Sequence, residues 1–93
     1  MDRFGALPGA DLVEKGLRDL AAGDISIEAL LVLIGAPRLR SLGIEIPPHS
    51  VSDPERALYD RFAVEDSDSA HGRYNALIRR LISFEQAAEC ANR

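Results

Sequence analysis

The last third of the chain carries the longest periodic pattern in the sequence. Its apolar residues recur at alternating steps of four and three, and they are Ala70, Tyr74, Leu77, Leu81, Phe84, Ala88 and Ala91. This spacing places them on one face of an α-helix, and Ile78 and Ile82 widen that face. The pattern therefore predicts a helix from about Asp68 or Ser69 to Ala91, the largest element of a 93-residue chain.

A second apolar segment, IEALLVLIG at 27–35, follows the candidate cap residues Asp24 and Ser26. It is apolar nearly all round, which is typical of an element buried at the centre of a fold. A buried strand is the competing interpretation for so short a run. We prefer a helix, because no second strand-like segment is present to pair with it.

Two further segments carry helix start and stop signals. The first begins with Asp11 as its cap and runs to about Ala22, where Gly23 ends it. The second begins at Ser52-Asp53-Pro54-Glu55 and runs to about Ala63. A short helical turn, PRLRSL, begins at Pro37 and is ended by Gly43.

We expect residues 1–93 to form a single all-α domain, a small bundle of about four longer helices plus the one short helical turn. Residues 1–10 form an N-terminal arm in this interpretation. Residues 43–52 form an extended connector, because Pro47-Pro48 bars both a helix and a central strand there. Gly72 stands inside the first turns of the long helix, where it either weakens that helix or permits a close crossing with another helix, and we favour the crossing.

The charge, the apolar runs and the cysteine content of the chain indicate which partners and which cellular location to expect. The net charge is −4, which weakens long-range attraction to nucleic acid and to anionic membranes. The longest apolar run, ALLVLIGA, is too short to span a bilayer, so we expect no membrane association. A lone cysteine, Cys90, and no leader-like N-terminal stretch together predict a reducing, cytoplasmic location.

Arg73, Arg79 and Arg80 are the unusual charges of the long helix. None of them has an aspartate or glutamate three or four residues away, so any carboxylate partner must come from another element or another chain. Solvated surface arginines, a protein-facing role and an anion-binding role all stay open. Glu85 is the acidic residue with an equally unusual position. It falls within the apolar face, where burying an unpaired carboxylate is costly, and Glu89 is its only charged neighbour on the helix.

These features predict a homodimer through the C-terminal helix. An antiparallel two-fold pairing would bury the apolar face and bring Arg80 of one copy to Glu85 of the other. The predicted interaction residues are Arg73, Tyr74, Leu77, Arg80, Leu81, Phe84 and Glu85. The function that follows is a small protein-interaction module of regulatory, adaptor or immunity type, with a further protein partner that the sequence does not identify.

The alternative is a nucleic-acid-binding regulator, although we expect nucleic acid to be the less favoured partner. It would use Arg38, Arg40, Arg73, Arg79 and Arg80. The segment around PRLRSLG resembles a helix-turn-helix only weakly, since the residues of the sharp turn are not at the usual spacing. Salt-sensitive retention on a heparin or DNA matrix would separate the two interpretations.

We expect neither catalysis nor a cofactor. The acidic stretch EDSDSAH lacks the glycine and the final acidic residue that a calcium loop requires, so we predict no metal site. Cys90, His49 and His71 lie far apart in sequence, and no phosphate-binding loop or nucleophile motif occurs.

Overall fold

A computed structural model describes residues 4–91 and confirms the all-α class: this part of the chain contains five helices and no strand. The helices are α1 (Ala10–Ala21), α2 (Ile27–Ile34), α3 (Ala36–Ser41), α4 (Pro54–Glu65) and α5 (Ala70–Ala91). The connector between α3 and α4 has no regular secondary structure, as the proline pair predicts. No helix within these residues combines the length and the apolar character needed to cross a membrane.

Helix α2 lies at the centre of the fold. Ala29 to Leu33 are all buried, and α2 packs most extensively against α1 and α4. Ser26 begins the helix, because its hydroxyl oxygen accepts a hydrogen bond from the backbone N–H of Ala29 at 3.1 Å. The helical interpretation of this segment is therefore confirmed over the strand.

The close crossing in the bundle occurs at Gly16 of α1, not at Gly72. A Cβ atom at position 16 would collide with the backbone oxygen of Glu28 and with a methyl group of Val32, both on α2. At position 72 the same atom would meet nothing within 4 Å. The crossing predicted at Gly72 is wrong: this glycine lies on the exposed side of α5 and only weakens the helix.

Helix α1 begins differently from its predicted start. Its N-cap is Gly9, whose φ of 78° lies in the left-handed region, and no side chain caps the helix. Gly9 also packs closely on α5, since a Cβ there would lie 2.8 Å from the backbone oxygen of Arg80. Asp11, the predicted cap, is instead in the first turn. Helix α4 begins as predicted, with the Asp53 carboxylate accepting from the N–H of Arg56 at 3.2 Å.

The predicted apolar face of α5 is covered within the same chain. Its buried residues are Ala70, Leu81, Phe84, Glu85 and Ala88. Helix α5 packs mainly on α4 and makes smaller contacts with α1 and α2. The N-terminal segment adds to this cover, because Phe4 is buried and its ring meets that of Phe84 edge-on at 6.0 Å between centroids. A single copy therefore buries the centre of this face by itself.

Candidate functional site

Two of the three α5 arginines find carboxylates on other helices of the same chain. Arg80 lies 3.4 Å from the carboxylate of Asp11 on α1. Arg73 lies 3.6 Å from the carboxylate of Glu65 on α4, and its guanidinium stands over the Phe62 ring at 4.5 Å from the centroid. For both arginines, the carboxylate partner therefore comes from another helix of the same chain.

Arg79 is the exception on α5. Its Nε donates to the backbone oxygen of Asn75 at 3.4 Å, and no carboxylate within residues 4–91 lies within ion-pair distance of it. Its side chain is exposed. The positive charge of Arg79 is thus not neutralised by any carboxylate of the described residues.

Glu85 lies inside the chain, where 5% of the residue is exposed. It faces the α2–α3 junction, because a Cβ on Gly35 would lie 3.0 Å from the Glu85 carboxylate. Burial raises the pKa of the Glu85 carboxyl; the nearby Arg38 guanidinium opposes that rise in pKa, and Glu89 adds to it. Arg38 is itself held by Glu89, since its Nε donates to the Glu89 carboxylate at 2.6 Å.

A largely apolar surface runs beside the buried face of α5, and we refer to it as the outer flank. It consists of Glu55, Tyr59, Tyr74, Ile78, Arg79 and Ile82. Tyr59 of α4 packs against Tyr74 of α5 with ring centroids 5.7 Å apart. Tyr59 is 37% exposed and Ile82 is 41% exposed, so both ends of the apolar strip reach solvent. Ile78, one helical turn before Ile82, is half-buried between them.

The outer flank is acidic along one side and basic along the other. Burial raises the pKa of Tyr74, and the carboxylates of Glu55 and Asp53 add to that rise in pKa, which places both acids near the tyrosine hydroxyl. Glu55 has no ion-pair partner within the described part of the chain. Arg79 lies further along α5, three residues before Ile82. An apolar strip with carboxylates along one side and an arginine along the other suits a protein surface of complementary pattern.

The seven residues predicted for the interaction differ in burial, and they fall into three groups. Leu81, Phe84 and Glu85 belong to the core of the chain, and Tyr74 and Leu77 are half-buried. Arg73 and Arg80 are exposed but already paired. The contact between Arg80 and Glu85 of a second copy stays a prediction, although reaching Glu85 would require this part of the core to open.

The outer flank was only partly visible in the sequence. Ile78 and Ile82 signal it by widening the apolar face of α5, and Arg79 signals it by lacking a helix neighbour of opposite charge. Nothing in the sequence connects Tyr59 or Glu55 to these residues, because their proximity depends on how α4 packs against α5.

The remaining candidate residues do not converge. Within residues 4–91, no three His, Cys, Asp or Glu side chains stand close enough together to hold a metal ion. Asp66 instead accepts from the backbone N–H of Asp68 at 3.1 Å, and His71 lies 3.0 Å from the side-chain nitrogen of Asn75. Cys90 is exposed near the end of α5.

No protein-family model matches this chain, and no curated protein or solved structure resembles it at a significant level.

Proposed function

We propose that this chain is a small protein-interaction module that binds its partner through the outer flank. The observation that carries the proposal is the contrast among the α5 arginines. Arg73 and Arg80 are neutralised by Glu65 and Asp11, whereas Arg79 is exposed without a carboxylate beside an exposed isoleucine.

Apolar surface next to a charge without a partner supports binding to protein rather than to a small molecule. Tyrosine and isoleucine supply contact area at little cost in side-chain entropy, and they are surrounded here by Asn75 and Gln86, which suit a polar rim. The acidic side near Glu55 and the basic side at Arg79 fix an orientation for the partner.

The nucleic-acid alternative receives no support from the arrangement of the basic residues. Arg38, Arg73 and Arg80 each lie within 4.0 Å of a carboxylate of their own chain. Only Arg40 and Arg79 of the five candidates are left without an ion pair in the described part, and the two lie on different helices. Two separate arginines on a protein of net charge −4 provide little electrostatic attraction for the phosphates of a nucleic acid.

The experiment compares partner capture by the wild-type chain with capture by two single variants. Ile82→Asp places a charge in the apolar strip, and Val64→Asp places the same charge on an apolar residue of α4 that is 88% exposed and lies outside the outer flank. Immobilised wild-type protein and the Val64→Asp variant should retain the same partner from native cytoplasm, and Ile82→Asp should reduce that retention by about tenfold or more. Equal retention by all three proteins, with circular dichroism showing that each is folded, would contradict the proposal.

A further inference from the structure

The outer flank has the pattern that a two-fold contact with itself requires. In such a contact the same surface is used twice, so each feature must find its complement on the same molecule. The apolar strip is its own complement. Glu55 and Arg79, at the two sides of that strip, are complements of each other, and neither has an ion-pair partner among the described residues of the single chain.

We infer that the partner bound at the outer flank is a second copy of this chain, related by a two-fold axis that passes close to Ile78. This inference rests on the proposed function, since it names the occupant of the same surface.

Helix spacing determines which residues meet in this arrangement. Two antiparallel α5 helices that cross at Ile78 bring position 82 of one copy opposite position 74 of the other. Ile82 then packs on the Tyr59–Tyr74 pair of the second copy, in which Tyr59 is exposed and Tyr74 is half-buried. The contact occurs twice, once on each side of the axis.

The same axis brings Arg79 of one copy toward Glu55 of the other. Glu55 lies one turn before Tyr59 on α4, and its carboxylate is close enough to Tyr74 to raise the pKa of that phenol. Helix α4 returns alongside α5, so Glu55 lies near the level of Ile78. Arg79, one residue beyond Ile78, is then positioned to reach it across the interface. Both ion pairs would be partly desolvated by the tyrosines and isoleucines around them.

This arrangement replaces the predicted Arg80–Glu85 contact with an Arg79–Glu55 contact. The physical reason is that Arg80 already pairs with Asp11 and that Glu85 is buried against Gly35. The C-terminal helix remains at the interface, but it is rotated so that Ile78 and Ile82 replace Leu81 and Phe84.

Charge reversal provides the test. Sedimentation equilibrium is measured up to about 100 μM, a range suited to a small interface, for wild type, Arg79→Glu, Glu55→Arg and the double reversal. Each single reversal places like charges together at two symmetric positions, so the dimer dissociation constant should rise at least tenfold. The double reversal restores opposite charges and should recover most of the lost affinity. Arg40→Glu is the matched control, because it reverses an exposed arginine of α3 outside the outer flank, and it should leave the dimer intact.

A wild-type chain that is monomeric at the highest concentration overturns the inference. A dimer that both single reversals leave unchanged, or that the double reversal fails to restore while circular dichroism shows it folded, overturns it equally. The proposed function is judged separately by the comparison of Ile82→Asp with Val64→Asp. A monomer that still loses its captured partner on Ile82→Asp therefore rejects the second copy and keeps the interaction module.

Discussion

At the scale of single residues, Glu85 shows a conflict between position and charge. The helical spacing that places a leucine or a phenylalanine in the core places this carboxyl there too. Its pKa is raised, first because burial penalises the ionised form, and further by Glu89; Arg38 counteracts this only in part. Because the pKa of Glu85 is raised on folding, its ionised form is less stable inside the fold than in the unfolded chain, and ionisation of this buried carboxyl therefore weakens the fold.

Glu85→Gln should therefore stabilise the protein at pH 7, by about 1 kcal/mol in the free energy of unfolding. The pKa of this carboxyl is higher in the folded chain than its ordinary value of 4.5. Protonation of Glu85 therefore makes its full contribution to the free energy of unfolding when the pH is below the ordinary pKa. That contribution is lost as the pH rises through the pKa of the folded chain. The advantage of the glutamine variant should shrink accordingly toward pH 4. Urea unfolding at several pH values measures both effects.

Glu45→Gln is the control for this comparison, because it removes a carboxylate from the exposed connector. It should change the stability by less than about 0.5 kcal/mol. A glutamine variant at position 85 that is less stable than wild type at pH 7 would mean that the ionised carboxylate is stabilised by its surroundings. Arg38 would then outweigh the cost of burial.

At the scale of helices, the two glycines of α1 and α5 have opposite effects. Gly16→Ala inserts a methyl group where the backbone of Glu28 and the side chain of Val32 leave no space, so we expect a loss of about 2 kcal/mol or more. Gly72→Ala adds a methyl group in open space and removes backbone freedom from the unfolded chain, so we expect a gain of about 0.5 to 1 kcal/mol. Chemical denaturation of the two variants checks both signs. If alanine is tolerated at position 16, α1 and α2 are free to separate slightly.

The helices themselves were largely predictable, because their signals are local. Ser26 and Asp53 cap their helices by accepting from backbone N–H groups three residues further on. Gly23 and Gly43 have positive φ angles just after α1 and α3, as is typical of glycines that end a helix. The inner face of α5 followed from its four-and-three spacing. The partners of that helix were not predictable, because Asp11, Glu65 and Phe4 reach it only after the chain has folded. This is why the close crossing was predicted at Gly72 while the one at Gly16 was missed, and why the outer flank was seen only in part.

At the scale of the molecule, the fold is thin. Its principal extents are 40, 25 and 18 Å, so the shortest dimension has room for about two layers of helices. In such an arrangement α2 alone is enclosed, and α5 keeps one long side in solvent. The ion pairs of Arg73, Arg80 and Arg38 tie α5 to α4, α1 and α3, but exposed pairs of this kind add little stability. Cohesion must come from the apolar contacts around α2.

The central position of α2 predicts that the two halves of the chain depend on each other. A cut in the connector at position 49 would separate α1, α2 and α3 from α4 and α5, although α2 packs on helices of both groups. Peptides 1–49 and 50–93 are each about 50 residues or shorter, a size at which one apolar core is marginal. Each peptide should be mostly unfolded alone, and an equimolar mixture should regain the helical circular dichroism of the intact protein.

Two residues of α4 provide the matched variants for this recombination. Leu58 is fully buried, whereas Val64 is 88% exposed. A charge at position 58 has no route to water in the assembled core, so Leu58→Asp in the second peptide should abolish the gain in helicity. Val64→Asp should leave that gain unchanged. If the mixture of unaltered peptides gives only the sum of the separate spectra, then the contacts of α2 with α4 are too weak to assemble the halves without the connector. The connector would in that case stabilise the fold by keeping α2 and α4 in proximity, an entropic contribution that the packing alone does not reveal.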